Sequence, residues 1–178
     1  MAMALLEGLK IIERGNMISA PYAGKMLADM GAEVIKVEDP GGGDGSRQHG
    51  PFPNDVPHHE KSGLFLNLNT SKLGITLNVK TKSGKEVLER LLKDADVFMY
   101  NYPAKQMKAL GLDYNSLKEL NPRLVVAAIS PFGATGPYKD YKGYAINGCA
   151  FSGVSDEMGD PDREPLNSSA FDVGRAVH

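Results

Sequence analysis

The sequence predicts an α/β fold with a Rossmann-like open, mainly parallel sheet and flanking helices. Short apolar or alternating segments, typical of strands, alternate at least three times with segments whose apolar residues cover one helical face. The stretches that follow the strands are rich in glycine, proline and polar residues. A length of 178 residues and an apolar share of 42% fit a domain with a hydrophobic core.

The first strand–helix–strand unit lies at the amino-terminal end. Residues 9–13 are predicted to form a short strand, and residues 22–30 a helix with apolar side chains on one face. Gly31 ends that helix, since glycine commonly follows a helix C-terminus. Residues 33–37 form the next strand, and such a unit generally gives a parallel pair.

Residues 39–63 are predicted to form a long loop. This segment has four prolines and three of the four histidines, and it shows no period. Long loops in compact domains are usually functional or disordered.

The remaining elements continue the alternation of strands and helices: a strand at 74–79, a helix opened by the capping box 83–86, a strand at 96–100, helices at 105–110 and 114–120, and a strand at 124–129. The helix that begins at the capping box has a buried stripe of Val87, Leu88, Leu91 and Leu92. The last strand is continuously apolar and rich in β-branched residues, which predicts a central parallel strand.

Ligands of open α/β sheets bind beyond the carboxyl ends of the strands. Four predicted loops lie at those ends, at residues 14–21, 38–47, 101–105 and 130–144. We therefore expect one cleft built from these four loops.

Charge and composition exclude several classes of protein. A net charge of −2 argues against a nucleic-acid-binding protein, which usually has a basic surface. Cys149 is the only cysteine, which leaves neither a disulfide framework nor a thiolate metal site. Residues 1–10 lack the apolar core of a signal peptide, and no apolar run approaches membrane-spanning length. We expect a cytoplasmic protein that binds no metal and no membrane.

Two local motifs are not specific for any function by themselves. The segment Gly41-Gly-Gly-Asp-Gly45 lacks the third glycine of a dinucleotide fingerprint, because Ser46 occupies that position. A flexible turn is the default interpretation, and a loop whose amides and Arg47 meet a phosphate is the alternative. His58 and His59 fit a solvated loop better than a metal site.

The basic residues Lys36, Arg47, Lys72 and Lys105 are better candidates for a phosphorylated ligand. Three of the four lie in or near the predicted cleft, where such side chains can pair with phosphates. Asp172 lies at the opening of a predicted helix, and its position alone favours a helix N-cap.

A set of segments in a fixed order is more specific. They include Pro21-Tyr-Ala-Gly-Lys-Met-Leu-Ala-Asp-Met-Gly-Ala-Glu-Val-Ile-Lys-Val-Glu38 and Gly43-Asp-Gly-Ser-Arg47. The others are residues 6–12, 69–72, 77–80, 95–97, 101–102, 121–123, 130–133, 136–138 and 165–167, the last of which leads to Asp172. Together they resemble the class III coenzyme A-transferases (the CaiB/BaiF family), which include formyl-CoA transferase and carnitine CoA-transferase.

The resemblance implies a Rossmann-like large domain, a small domain and an interlocked homodimer. Residues 1–178 then correspond to the amino-terminal part of the large domain, with the small domain absent from the chain. The sequence stops within the apparent helix that begins at Ala170, so we expect a fragment, a truncated gene product or half of a split protein.

The resemblance also implies a mechanism in which CoA is a substrate, with no tightly bound cofactor. The family's aspartate attacks the acyl-CoA donor to give a mixed anhydride and then an aspartyl-CoA thioester, from which a carboxylate acceptor takes the CoA. The matching position is Asp172. The positions that match the CoA site are Arg47, Lys72, Asn101 and Tyr102, with Lys105 close by.

Two alternatives to the transferase remain. One is an α-methylacyl-CoA racemase-like enzyme, which would need a histidine base where this chain has Tyr144. An unperturbed phenol has a pKa of about 10, which makes it a poor base at neutral pH. Tyr144 suits a transferase better, where its hydroxyl can contact the acyl group. The other alternative is a catalytically inactive CoA-binding fragment.

Overall fold

The computed structural model describes residues 4–157 and 162–164. The chain forms two compact units, Met1–Ile129 and Ser130–His178. Asp172 and the predicted helix that begins at Ala170 lie outside the described residues.

The first unit contains one sheet of five parallel strands. The strands are β1 (Lys10–Arg14), β2 (Glu33–Glu38), β3 (Leu73–Thr76), β4 (Val97–Tyr100) and β5 (Val125–Ala128), in the spatial order β3-β2-β1-β4-β5. The chain first builds outward from β1 to β3 and then crosses to the other side of β1. The order of strands therefore switches between β1 and β4. This confirms the predicted α/β, Rossmann-like class.

Helices cover both faces of this sheet. The helices of the first unit are α1 (Ser19–Asp29), α2 (Gly63–Asn69), α3 (Lys82–Lys93), α4 (Ala104–Ala109) and α5 (Tyr114–Leu120). Ile11 and Ile12 point to opposite faces of β1, and both are fully buried. Ile12 packs in a cluster with Leu88 and Leu92 of α3, while Ile11 packs in a second cluster with Ala20 and residues of α1. Burial on both faces is the usual state of a central parallel strand.

Two predictions about strands and helices are wrong. Residues 124–129 do form a strand, β5, but it lies at an edge of the described sheet and leaves Val125 59% exposed. Residues 63–69 form α2, although Gly63 was predicted to end the long loop and residues 64–69 were assigned to no element. The hydroxyl of Ser62 caps this helix by accepting a hydrogen bond from the Phe65 amide at 3.0 Å.

The start of α3 also differs from its prediction. The N-cap is Thr81, whose hydroxyl accepts from the Gly84 amide at 3.1 Å, and Ser83 lies inside the first turn. The predicted buried stripe is present in Leu88 and Leu92, which are fully buried, with Val87 and Leu91 partly buried beside them.

Thr81→Ala should lower the free energy of unfolding by about 1 kcal/mol, because it removes the acceptor that caps α3. Ser83→Ala is the matched control and should change it by less than about 0.5 kcal/mol. Urea denaturation followed by circular dichroism measures both. Equal losses from the two variants would contradict the assigned cap.

The second unit is described by two short helices, α6 (Ala145–Phe151) and α7 (Val154–Glu157). Phe132, Tyr138 and Tyr141, which precede α6, form an aromatic cluster with Phe151 at its end, and the contacting ring centroids lie 5.4–5.9 Å apart. None of the helices in the described part of the chain has the length and apolar character needed to cross a bilayer.

Candidate functional site

Three of the four predicted cleft loops meet in the first unit, at the carboxyl ends of β1, β2 and β4. The neighbouring ends of β1 and β4 mark the point where the strand order switches, which is where open α/β sheets bind ligands. The fourth predicted loop, residues 130–144, belongs to the second unit.

Asn101 follows β4 directly and connects it to the loop after β1. Its Oδ1 accepts from the Asn16 amide at 2.9 Å, and its Nδ2 donates to the Asn16 carbonyl at 2.7 Å and to Ser19 Oγ at 2.9 Å. Both amide hydrogens of Asn101 are used in these contacts. This predicted CoA residue therefore holds the neighbouring loop in place.

A second connection joins the loop after β1 to the loop after β2. Asn16 Oδ1 accepts from the Gly45 amide at 2.7 Å, and the Met17 amide donates to Asp44 Oδ1 at 2.9 Å. The Ser46 amide and hydroxyl also donate to Asp44 Oδ1, at 2.8 and 2.7 Å. The glycine-rich segment is thus an ordered turn built around a buried aspartate.

Beneath these loops lies a buried network of four charges. Lys36 Nζ lies 3.0 Å from Glu13 Oε1 and 2.7 Å from Asp44 Oδ2, and Lys72 Nζ lies 2.7 Å from Glu13 Oε2. All four side chains are at most 2% exposed. Two cations and two carboxylates balance, as buried charges require.

Lys72 is therefore enclosed at the site. In addition to its ion pair with Glu13, its ammonium donates to the Pro21 carbonyl at 2.7 Å and to Asn69 Oδ1 at 2.9 Å. The ammonium therefore has one ion pair and two hydrogen bonds within the protein. The predicted CoA residue Lys72 binds the ends of α1 and α2 in this arrangement.

The two buried lysines respond differently to the network. Burial would lower the pKa of Lys36, but Glu13 and Asp44 outweigh that effect and raise it above its ordinary value. Lys72 has Glu13 as its close carboxylate, and burial leaves its pKa below the ordinary value. Burial would raise the pKa of Asp44, but Lys36 and the Ser46 donors lower it.

Arg47 lies at the carboxyl end of β2. It makes a bidentate contact to Glu38, with Nε 2.8 Å from Oε2 and Nη2 2.9 Å from Oε1, and its Nη1 lies 3.1 Å from Glu60 Oε2. The guanidinium also stacks on the ring of Phe65, 3.6 Å from the centroid. Arg47 and these acids border an open, polar pocket of about 570 Å³ that extends to residues 74–76 of β3.

The Glu38–Arg47 pair predicts a pH-dependent stability. Burial would raise the pKa of Glu38, but its hydrogen bonds with Arg47 and the Asp44 amide lower it below the ordinary 4.5. Because the folded state holds the proton less tightly than the unfolded state, the stabilisation is present above pH 4.5 and is lost as the pH falls through the folded pKa. Acid should therefore remove the contribution of this pair.

Glu38→Gln should accordingly lower the free energy of unfolding by about 1–3 kcal/mol at pH 7. The difference in this free energy from the unchanged protein should vanish in acid. Urea unfolding between pH 2.5 and 7 measures it. Glu33→Gln, at an exposed position of the same strand, is the control. A Glu38→Gln difference that stays constant across this range would show that the ion pair does not stabilise the fold.

Tyr102 and Lys105 complete the predicted CoA positions of the first unit. The Arg14 guanidinium lies over the Tyr102 ring, 4.2 Å from its centroid, and burial raises the pKa of the phenol. Lys105 lies in the first turn of α4 and is exposed. Its ammonium is thus open to solvent, unlike that of Lys72.

Tyr144 lies in the second unit, at the N-cap of α6. Its amide donates to Asn147 Oδ1 at 2.9 Å, and its side chain is 72% exposed. The other predicted catalytic residue, Asp172, lies outside the described residues. Among residues 4–157 and 162–164, no group of three or more His, Cys, Asp or Glu side chains is placed to hold a metal ion.

Sequence reasoning missed Glu13, Asn16 and Asp44 as site residues. A signal for one of them was present, since Glu13 follows two fully buried isoleucines within a central strand. Lys36 similarly interrupts the apolar strand β2. Charged residues inside strands that are buried on both faces indicate a buried partner.

Comparison with known proteins agrees with this fold. The model of CoA-transferase family III matches residues 6–176. The chain is 40% identical over 165 residues to succinate–glutarate CoA-transferase of Agrobacterium fabrum, covering 92% of this chain and 41% of that protein. It is 37% identical over 167 residues to (R)-2-hydroxy-4-methylpentanoate CoA-transferase of Clostridioides difficile, covering 93% and 42%.

A solved structure gives the same result for the fold. The crystal structure of a CAIB/BAIF family protein from Brucella suis superposes with a TM-score of 0.84 at 37% identity, covering 93% of this chain and 44% of that one. The chain spans less than half the length of these relatives. The family match covers the segments, in their fixed order along the chain, on which the resemblance rests. The chain belongs to CoA-transferase family III.

Proposed function

We propose that the protein carrying this chain is an acyl-CoA:carboxylate CoA-transferase, which moves CoA from an acyl-CoA donor to a carboxylate acceptor. The observation that carries the proposal is the family match over residues 6–176, which spans every predicted site position, Asp172 included. Relatives named for CoA transfer between different acids support the same reaction class.

In the proposed reaction Asp172 is the nucleophile. Its carboxylate attacks the thioester carbonyl of the donor, the C–S bond breaks, and CoA leaves as a thiolate. The thiolate then attacks the Asp172 carbonyl of the mixed anhydride, which releases the donor acid and leaves an aspartyl-CoA thioester. The acceptor carboxylate then attacks the aspartyl-CoA thioester, which gives a second mixed anhydride and releases the CoA thiolate. The thiolate attacks the acceptor carbonyl of this anhydride, which forms the new acyl-CoA and frees the Asp172 carboxylate. Every step exchanges one acyl bond for another, so no water and no net proton are needed.

Water must be kept away from these acyl intermediates, since hydrolysis would end the cycle without transfer. CoA must also stay bound while it is a free thiolate. We propose that it lies over the loops after β1, β2 and β4. Lys105 would face its phosphates, as would the one Arg47 donor that its contacts with protein atoms leave unused, and Tyr102 would lie along it. In the second unit, the exposed hydroxyl of Tyr144 would contact the acyl group.

Lys72 and Asn101 have a different part in this proposal from the one that their sequence positions indicated. Their donor groups contact protein atoms in the described structure. We propose that they support the CoA site by fixing the loop between β1 and α1.

The proposal extends to domains and assembly. Residues 1–178 would correspond to the amino-terminal part of the family's large domain, because the chain covers 41% and 42% of the two relatives. The family's small domain would correspond to sequence outside these residues. The functional protein would be a homodimer, as the family resemblance implies.

A transfer assay in heavy water tests the function. The protein is incubated with succinyl-CoA and ¹³C-labelled glutarate, the pair of acids named for two relatives, and the thioesters are analysed by mass spectrometry. We expect labelled glutaryl-CoA without deuterium next to the thioester carbonyl. Entry of deuterium without CoA transfer would favour the racemase-like alternative. Absence of labelled thioester with all the acids named for the relatives would contradict the proposal.

A further inference from the structure

We infer that Asn16 is a positioning residue of the CoA site, which acts by joining the three loops that form it. This inference rests on the proposed function. Asn16 uses its backbone amide and carbonyl to bind the side chain of Asn101, at 2.9 and 2.7 Å. Its side-chain Oδ1 accepts from the Gly45 amide at 2.7 Å. One residue after β1 thus contacts the loops that follow β4 and β2.

The position of the Asn16 hydrogen bonds in the fold relates them to ligand binding. It lies beyond the carboxyl ends of β1 and β4, where the strand order switches and where ligands of this fold class bind. Asn101 owes its orientation to Asn16 and Ser19, which accept both of its amide hydrogens. A displaced Asn16 would therefore move the start of the loop that carries Tyr102.

The same contacts hold the next residue in an unusual backbone conformation. Met17 has φ of 61°, in the left-handed region that non-glycine residues rarely adopt. Its amide donates to Asp44 Oδ1 at 2.9 Å and to Asn16 Oδ1 at 3.1 Å. Strain of this kind persists where surrounding contacts over-determine the conformation, and it is common at functional sites.

Met17 stands directly before the N-cap of α1, Ile18, so its conformation decides where that helix begins. The loops also approach closely at Gly45, where an added Cβ would require the neighbouring side chains to shift by a few tenths of an ångström. A Cβ at Gly45 would lie 3.1 Å from Met17 Sδ and 3.2 Å from Asn16 Oδ1.

The connection is anchored in the core by Asp44. One carboxylate oxygen of Asp44 holds the Met17 amide, and the other pairs with the buried ammonium of Lys36 at 2.7 Å. Lys36 belongs to β2, so the site loops are fixed to the sheet through this pair. Movement at Asn16 is thereby restricted from two sides.

Asn16→Ala tests the inference, because it removes the Gly45 contact and leaves the backbone contacts with Asn101. We expect the dissociation constant for CoA, measured by isothermal titration calorimetry, to rise about tenfold. Gly45→Ala, which pushes the same loops apart by steric contact, should weaken CoA binding in the same direction. Asn115→Ala, an exposed asparagine on α5, should not change it.

If Asn16 had only a structural role, Asn16→Ala would lower the stability of the protein without changing its affinity for CoA. Thr81→Ala therefore serves as a comparison, since we expect it to lower the melting temperature at a position outside the site and to leave the affinity for CoA unchanged. Unchanged CoA affinity in both Asn16→Ala and Gly45→Ala, with normal binding by the unaltered protein, would overturn this inference and leave the proposed function standing. Failure of the unaltered protein to bind CoA would overturn both.

Discussion

Lys36→Met should lower the free energy of unfolding by about 3–5 kcal/mol. The ammonium is 2% exposed and lies between the carboxylates of Glu13 and Asp44. Methionine fills a similar volume but has no charge, so Asp44 loses its cation and Glu13 keeps only Lys72. Removing one partner of a buried ion pair costs far more than the pair contributes, because the remaining charge stays desolvated.

Urea denaturation at pH 7 measures this loss. Lys85→Met is the matched control, since Lys85 pairs with Glu89 at 3.8 Å on an exposed face of α3. Exposed pairs contribute at most about 1 kcal/mol. Similar losses in the two variants would show that the network beneath the site does not stabilise the fold as described.

Asp172→Asn should slow CoA transfer by at least about a thousandfold. Asparagine has nearly the same size and shape as aspartate, but its neutral amide cannot attack the thioester to form an anhydride. The acceptor carboxylate would then have to attack the donor thioester directly, and the CoA thiolate would have to attack the resulting free anhydride, with no covalent intermediate on the enzyme. Initial rates of labelled thioester formation, with stability checked by thermal unfolding, measure the change.

Asp162→Asn is the control for this replacement, because Asp162 is an exposed carboxylate in the same part of the chain. It should leave the rate of transfer unchanged. A transfer rate in Asp172→Asn within tenfold of that of the unaltered protein would exclude Asp172 as the nucleophile.

Much of the fold could be predicted because its elements have strong local patterns. Strand β1 and strand β4 were predicted within a residue of their observed bounds, since short apolar runs between turn residues are typical of buried strands. Helix α5 was predicted at its observed bounds, because Asn121-Pro122 breaks it. The alternation of these elements predicted the parallel sheet.

Two features escaped prediction because they depend on distant contacts. Helix α2 has adjacent apolar residues at positions 64–66 in place of a helical stripe, and only Leu68 is buried. Its start depends on Ser62, whose single hydroxyl hydrogen is shared between the carbonyls of Ser46 and His49. Strand β5 has the composition of a central strand, but pairing with β4 alone makes it an edge strand in the described sheet.

The candidate site was predictable in its location but not in its contacts. The loops rich in glycine and polar residues were expected to meet beyond the strands, and those after β1, β2 and β4 do so. The bonds that join them connect residues as far apart as Asn16 and Asn101, and no local pattern encodes such pairs. Lys72 illustrates the difference. From the sequence we predicted that Lys72 binds a phosphate of the ligand, whereas in the structure its ammonium pairs with Glu13.

The most direct test of the proposed function is a search for the covalent intermediate on Asp172. The protein is mixed with acyl-CoA, trapped with hydroxylamine, digested and analysed by mass spectrometry. Attack of hydroxylamine on an aspartyl anhydride or thioester leaves a hydroxamate on the attacked residue. We predict a hydroxamate on Asp172 that depends on acyl-CoA and is absent from Asp172→Ala. Transfer activity without any modification of Asp172, or the same modification on another carboxylate, would contradict the proposed mechanism.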